Sequence, residues 1–274
     1  MLRTAYPLTS LCRVLALPRR TLDYQAHPRD DREVRQAIEA VAQQCPTDGR
    51  RRVAAQVRRA PYRLRVNRQR AQRVMRPMGL WRRTRPRTPH TTDSRHGCRR
   101  FPNLVADRGA REPDEIWGCD LTDVRLGAEF ISLAMMMDVL TRDIRGWQRG
   151  RTLGQELTVS ALQRALVHHT PVMHHRDQGI QYAAPQYIQV LHAAGIQSSM
   201  AAVGEPRQHG YAERVIRTIQ EEEIALAEYR DFAEALAQIG QFIDDVYRTK
   251  RIHSALGYLT PAEFEAAWRR EHRA

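Results

Sequence analysis

Cysteine, long apolar stretches and lysine are scarce in this sequence of 274 residues. The four cysteines are scattered without a CxxC pair, so neither a disulfide framework nor a zinc finger is expected. No stretch approaches the roughly 20 apolar residues of a membrane-spanning helix. The N-terminal segment has arginines inside its short apolar part and no small-residue cleavage site after it, which argues against a secretory signal. Together these absences favour a cytoplasmic protein.

Nearly all basic residues are arginines, and Lys250 is the only lysine. The formal net charge of the chain is +13. Acidic residues are scarce in the first part of the chain. Residues 1–112 hold 27 arginines and 9 acids, whereas residues 113–274 hold 17 basic and 22 acidic residues. A basic region joined to a mildly acidic one indicates a polyanion-binding region attached to a second unit.

Residues 1–45 form the first predicted region, which is helical. The apolar spacing within 8–24 predicts two short helices around a break at Pro18. Arg19 and Arg20 stand where a recognition helix would present them to DNA, so a helix-turn-helix and a plain helical hairpin are both open. The segment after them, 30–45, has the pattern of an amphipathic helix.

Residues 46–83 are the second predicted region, a helix-turn-helix that binds DNA. Val53, Ala54 and Val57 give one apolar helix face. Asn67 is a suitable N-cap for a helix over 68–78. Between residues 49 and 111 there are 20 arginines against two acids, and this density of one charge sign favours nucleic-acid contact. The candidate DNA-binding residues of the basic half are Arg19, Arg20, Arg51, Arg52, Asn67, Arg68, Arg70, Arg73, Arg82, Arg83 and Arg85.

Residues 84–112 lack periodicity and predict a basic linker, ordered on DNA, that leads to a third region at 113–274. Three antiparallel strands are predicted at 116–126, 129–140 and 143–150, followed by short strands at 172–175 and 196–200. Helices alternate with the short strands, and the last helix begins at Pro261 with Thr260 as its cap. This order predicts an α/β fold with a mixed five-stranded sheet and helices on both faces.

Three acids of the third region are distinguished by position. Asp120 lies inside an apolar strand, Asp177 follows the fourth strand, and Glu213 lies near the start of a helix. Each has an ordinary explanation: a strand-edge ion pair, a turn, and a partner for the helix dipole. Brought together, three carboxylates form an oxygen cage for Mg²⁺ or Mn²⁺ that suits phosphoryl transfer by two ions. Glu221, Glu222 and Glu223, by contrast, have the pattern of a solvated helix surface.

Several motifs point to a known family. The segments WGCDLTD, HHRDQGIQY and YAERVIRTIQEEE, with 35 residues between Asp177 and Glu213, resemble the catalytic segments of bacterial insertion-sequence transposases. These are OrfB-like proteins with a retroviral-integrase-type (DDE) catalytic core. The segment GRRRVAAQVRRAPYRLRVNRQRAQRVMRPMGL resembles the helix-turn-helix that precedes that core, and RIHSALGYLTPAEFE resembles its C-terminal signature. The resemblance extends from about Tyr6 to Phe264.

The resemblance implies a ribonuclease-H-like core, preceded by an all-α helix-turn-helix region, and an active site at Asp120, Asp177 and Glu213. Asp120 would bridge two Mg²⁺ or Mn²⁺ ions, while Asp177 and Glu213 would each complete one site. An activated water would cut one strand at the end of the element, and the freed 3′-hydroxyl would attack a second phosphodiester. The implied partners are double-stranded DNA, as terminal inverted repeats and as target, further copies of the chain, and an upstream-frame helix-turn-helix protein joined by frameshift. The implied location is the bacterial cytoplasm at the nucleoid.

The chain departs from the family pattern at four positions, where Gln220, His209, Arg176 and Arg248 replace the residues that the family usually has. Gln220 is the notable one, because the family usually has a basic residue there. The candidate DNA-binding residues of the core are Gln178, Tyr182, His209 and Gln220. These departures leave an alternative function open, that of a weakened or inactive remnant that only binds DNA. A nuclease that only hydrolyses DNA is a further alternative.

Overall fold

The computed structural model describes residues 6–22, 24, 30–80, 101–105, 108–126, 129–152, 154–201 and 210–272. The first described residues form the two predicted short helices, α1 (Leu8–Val14) and α2 (Arg19–Leu22). Within this described segment α1 buries none of its residues.

Three helices form a bundle in the basic half: α3 (Arg32–Gln44), α4 (Arg50–Arg58) and α5 (Arg68–Met75). Their apolar faces meet in one small core, in which Ile38 and Val57 are fully buried. The side chain of Asn67 accepts a 2.7 Å hydrogen bond from the backbone N–H of Arg70. The predicted N-cap of α5 is therefore present, although α5 ends three residues earlier than 78.

The second half contains a mixed sheet of five strands. They are β1 (Ile116–Leu126), β2 (Glu129–Asp138), β3 (Ile144–Gly150), β4 (Met173–Arg176) and β5 (Gln197–Met200). The strand order is β3-β2-β1-β4-β5. The first three strands are antiparallel, and β4 and β5 run parallel to β1. The predicted α/β class and meander are confirmed, and the topology is that of a ribonuclease-H-like core.

Helices cover both faces of the sheet. On one face lie α6 (Gln155–Leu166) and α7 (Pro185–Ala193), packed on Trp117, Cys119 and Met136. On the other face lie α8 (Gly210–Ile219), extended by a π-helical turn at Gln220–Ile224, and α9 (Phe232–Gln241), extended by another at Phe242–Tyr247. A Cβ on Gly146 would lie 2.7 Å from backbone atoms of α6, so this glycine permits α6 to approach β3 closely.

The C-terminal part returns to the sheet. A 3₁₀ turn (Ser254–Leu256) leads to α10 (Pro261–Glu271), whose predicted Thr260 cap is confirmed as a capping box with Glu263. Buried Arg145 of β3 ties α10 to the sheet through a 2.7 Å ion pair with Glu265, and it also pairs with Asp143 directly before β3 at 3.2 Å.

Part of the predicted linker runs along the edge of the sheet. The backbone N–H of Leu104 donates to Ser199 Oγ at 2.9 Å, and that of Met200 donates to the carbonyl of Pro102 at 3.3 Å. Residues 101–105 are therefore held beside β5 by contacts within the chain. Among the described residues no helix is both long and apolar enough to cross a membrane.

Candidate active site

Asp120 lies in the central strand of the sheet. Its register partner on β2 is Met135, and its Oδ1 accepts a 2.8 Å hydrogen bond from the backbone N–H of Leu121. Burial, together with the charges of Asp177 and Glu213, raises the pKa of Asp120 to about 8. Both other predicted acids are therefore within electrostatic range of this carboxylate.

Asp177 follows the last residue of β4. Because β4 is parallel to β1 and Gly118 pairs with His175, two further residues along each strand bring Asp177 level with Asp120. The Oδ1 atom of Asp177 also accepts a 2.9 Å hydrogen bond from the backbone N–H of Gly179. The turn explanation for Asp177 is therefore confirmed, and the turn fixes the carboxylate at the end of the strand.

Glu213 lies in the first turn of α8, and α8 runs along β1. A Cβ on Gly118 would lie 3.6 Å from the Cβ of Ala212. At the other end, the Nε2 of Gln220 donates to Thr122 Oγ1 at 2.7 Å. Gly118, Asp120 and Thr122 share one face of β1, because side chains alternate along a strand. Helix α8 therefore contacts β1 on both sides of Asp120. The first turn of α8, which carries Glu213, lies near Asp120.

The oxygen cage expected for the three carboxylates is not closed around a single ion in the described residues. No three acidic, histidine or cysteine side chains of the described part lie close enough to hold a single ion. The charges of Asp177 and Glu213 both act on Asp120. Asp120 is therefore the residue that two ions could share. Carboxylate oxygens are the ligands that Mg²⁺ prefers, and Mg²⁺ needs few of them because it keeps several waters.

Comparisons with known proteins identify the family. Two family models described as integrase core domain match residues 110–206 and 194–261. A 31 kDa protein of insertion element IS600 from Shigella sonnei is 30% identical over 203 residues, which are 73% of this chain and 75% of that protein. The chain belongs to the insertion-sequence transposases with an integrase core. It is thus an enzyme of the polynucleotidyl-transferase type.

Other similarities extend over different lengths. The transposase of IS904 from Lactococcus lactis is 33% identical over 60% of this chain and 66% of that protein. The putative transposase InsK of IS150 from Escherichia coli is 26% identical over 96% of this chain and 95% of that protein. Among solved structures, the HTLV-2 integrase catalytic core in complex with magnesium has 15% identity and a TM-score of 0.46, over 58% of this chain and 99% of that one.

The predicted DNA-binding residues of the basic half fall into three groups. Arg19, Arg20, Arg51 and Arg68 are exposed on their helices. Four others have structural partners: Asn67 caps α5, Arg70 and Arg73 pair with Asp31, and Arg52 pairs with Asp48 and Glu222. Arg82, Arg83 and Arg85 lie outside the described residues.

Three of the predicted DNA-binding residues of the core, Gln178, Tyr182 and Gln220, lie in the described part and are buried or partly buried. Tyr182 is 2% exposed and belongs to the core under α7. Its prediction as a DNA contact is therefore wrong. The Nε2 of Gln178 donates to the carbonyl of Ala201 at 3.0 Å. Gln220 is bonded to Thr122, which makes it part of the contact between α8 and β1. His209 lies outside the described residues.

Two of the departures from the family pattern have internal partners. Arg176 is fully buried, with its guanidinium carbon 5.1 Å from the centre of the Phe101 ring. Arg248 forms a 3.3 Å ion pair with Asp143. Both side chains therefore contact other residues of the fold.

Sequence reasoning missed two features. An open pocket of about 460 Å³ before α5 is lined by Arg58, Arg63 and Arg65, which the charge run contained but did not distinguish. The expectation of a solvated surface was wrong for Glu222, whose side chain is 8% exposed. Burial alone would raise the pKa of Glu222, but hydrogen bonds and charges from Arg251 and Arg52 lower it to about 2.

Proposed function

We propose that this transposase cuts and joins DNA strands at Asp120, Asp177 and Glu213, in a reaction that requires divalent metal ions. What supports the proposal is that the end of β4 and the first turn of α8 bring the charges of Asp177 and Glu213 within electrostatic range of Asp120 on β1. Such a convergence of like charges is costly in a protein interior unless cations compensate it. Membership of the transposase family supports the same reaction class.

The proposed cofactors are two Mg²⁺ or Mn²⁺ ions. Asp120 is the shared ligand, with Asp177 completing one ion site and Glu213 the other. When bound, such ions activate the attacking hydroxyl and neutralise the charge that develops on the leaving oxygen. The reaction is hydrolysis of one phosphodiester, which leaves a 3′-hydroxyl, followed by transesterification in which that hydroxyl displaces another 3′-oxygen.

The contribution of the chain itself is positioning. The N–H of Gly179 holds Asp177 at the strand end, and the N–H of Leu121 orients Asp120. The hydrogen bond from Gln220 to Thr122 holds α8, and with it Glu213, along β1. Ligands fixed before substrate binds lose little freedom in the transition state, which is the main source of rate when no covalent enzyme intermediate is formed.

The proposed substrates are the terminal inverted repeats of the element and a target duplex. Exposed Arg51 and Arg68, together with the arginines that line the pocket before α5, offer positive charge to the phosphate backbone. Joining two ends requires at least two active sites, so we propose an oligomer assembled on DNA. Fusion to an upstream-frame helix-turn-helix protein and action at the nucleoid belong to the same proposal.

A strand-transfer assay tests this function. A labelled element end is incubated with target DNA and Mg²⁺ or Mn²⁺, and joined products are expected. Asp177→Asn is expected to abolish cutting while DNA binding in a gel shift persists. Asp123→Asn is the matched control, because Asp123 lies on the same strand but is exposed, and its Oδ1 accepts a 2.7 Å hydrogen bond from Ser132 Oγ. Binding without cutting by the wild-type protein would indicate a DNA-binding remnant, and normal cutting by Asp177→Asn would refute the site.

A further inference from the structure

Helix α4 uses two of its faces. Val53 and Val57 are buried in the core of the three-helix bundle. Arg52 and Gln56 lie four residues apart on another side of the helix, and Arg59 is the C-cap residue that follows its end. That side faces the catalytic half, since each of the three side chains bonds to a residue beyond 220.

Two of these side chains bond to residues 250–263, the stretch that includes most of the C-terminal signature. The Nε2 of Gln56 donates to the carbonyl of Lys250 at 3.3 Å. Arg59 donates to the carbonyl of Tyr258 and forms an ion pair with Glu263. The acceptors in two of these contacts are backbone carbonyls. The main chain of residues 250–263 therefore forms part of the surface that the bundle contacts.

The third side chain takes part in a buried ion cluster. Arg52 Nη1 donates to Glu222 Oε1 at 2.9 Å, and Arg251 Nε donates to Glu222 Oε2 at 2.7 Å. Asp48 accepts from Arg52 at 2.7 Å. The side chains of Arg52, Glu222 and Arg251 are 14%, 8% and 7% exposed. Glu222 therefore joins an arginine of the bundle to an arginine of the signature segment.

The place of Glu222 in the chain links this cluster to the active site. It lies in the π-helical turn that continues α8, and α8 begins with the turn that carries Glu213. One continuous helical element thus has a candidate metal ligand at one end and the attachment of the DNA-binding bundle at the other. A displacement of the bundle would act on the same helix that positions Glu213.

We propose that the segment 250–263 is the docking platform for the bundle 30–80 of the same chain, and that Glu222 is a positioning residue that holds the bundle at a fixed place relative to the active site. The docked bundle sets which phosphodiester of the bound DNA end reaches the carboxylates. The positioning role rests on the proposed function, whereas the docking does not.

Hydrogen–deuterium exchange on the DNA-free protein tests the docking. Glu222→Gln is expected to speed amide exchange about tenfold or more in peptides covering 250–263, because the buried arginines lose their shared carboxylate and the interface opens locally. Glu228→Gln is the matched control, because Glu228 is exposed near the end of the same helical element. Unchanged exchange at 250–263 in Glu222→Gln would overturn the docking.

The positions of the cuts test the positioning role. With a labelled element end, Glu222→Gln is expected to spread cutting over several neighbouring phosphodiesters, whereas a merely less stable enzyme would cut less at the same position. An unshifted cut pattern would overturn the role. A wild-type protein that cuts no DNA would refute the proposed function and this role together, while the exchange result would still decide the docking.

A second variant covers the case in which Glu222→Gln does not fold. Arg59→Ala removes the contacts with Tyr258 and Glu263 at the more exposed edge of the interface. Faster exchange at 250–263 and some loss of cut precision are expected, both smaller than in Glu222→Gln. Arg270→Ala, an exposed arginine at the far end of α10, is the control. Equal exchange in Arg59→Ala and Arg270→Ala would contradict the proposal.

Discussion

Two buried acids of the catalytic half, Asp120 and Glu222, have opposite surroundings. Burial, together with the charges of Asp177 and Glu213, raises the pKa of Asp120 to about 8. Glu222 is held between two arginines, which lower its pKa to about 2 despite burial. The protein thus compensates one of these carboxylates with its own cations, whereas the other is the carboxylate that we propose to bind a metal ion.

This difference separates a structural acid from a candidate catalytic one. A carboxylate already neutralised by arginines has little to gain from a metal ion. A carboxylate close to other carboxylates is strongly stabilised when a metal ion binds, because the ion offsets both the repulsion between the charges and the cost of burying them. The charge partner, rather than burial, is what assigns the two roles.

The largest effect is expected from removing the crowded acid. Asp120→Asn should lower strand cutting about 10³-fold, because the shared metal ligand supplies several kcal/mol of transition-state stabilisation. The same variant should unfold at an equal or higher temperature than wild type in metal-free buffer at pH 8, since a buried repulsive charge is lost. Cutting rates and thermal unfolding measure both. An enzyme destabilised at pH 8 by this change would contradict the comparison.

The compensated acid should behave in the opposite way. Glu222→Gln should lower the free energy of unfolding at pH 7 by about 3 kcal/mol, the value of a carboxyl pKa lowered from 4.5 to about 2. A depressed pKa stabilises the fold above pH 4.5, and that stabilisation is lost as pH falls toward 2. Urea unfolding of variant and wild type between pH 7 and pH 2.5 should therefore show a difference that shrinks on acidification. A difference independent of pH would refute this account of Glu222.

Metal binding should depend on pH through Asp120. A raised pKa makes the metal-free fold lose stability as pH rises from about 4 through 8, whereas an ion binds the ionised form. Roughly 1% of Asp120 is ionised at pH 6, so Mg²⁺ should bind about 50-fold more weakly there than at pH 8. The rise in unfolding temperature with Mg²⁺ measures this. Equal shifts at both pH values, or an equal shift in Asp120→Asn, would argue against an ion at Asp120.

The smallest effect is expected at Gln220. Gln220→Ala should cost about 1 kcal/mol of stability, the value of one hydrogen bond. A double-mutant cycle with Thr122→Val should give a coupling of similar size. The coupling would show that Gln220 supports α8 rather than contacting DNA. Additive effects of the two changes would reopen the DNA-binding interpretation.

Much of the core followed from local patterns. The alternation within 116–150 comes from residues whose structure is set by their neighbours in sequence, whereas the spacing between Asp177 and Glu213 was informative only through the resemblance to transposases. The Thr260 cap is local in the same sense. These features were predictable because strand alternation and helix capping need no information about the rest of the fold.

The partners of charged side chains could not be predicted in this way. Glu222 meets Arg52 across 170 residues of sequence, and no local pattern distinguishes it from Glu221 or Glu223. Arg70 and Arg73 belong to a basic run but pair with Asp31 of another helix. Which charges face solvent and which are paired is decided by the packing of elements, so a charge run locates the DNA-binding region without identifying its contacts.

The measurement that tests the central claim most directly is diffraction from crystals of the protein with an element end and Mn²⁺, recorded at the manganese absorption edge. The account predicts two anomalous peaks about 3.5–4 Å apart. Both should be bonded to Asp120, one also to Asp177 and the other also to Glu213. The absence of any peak within bonding distance of Asp120 at saturating Mn²⁺ would contradict the account.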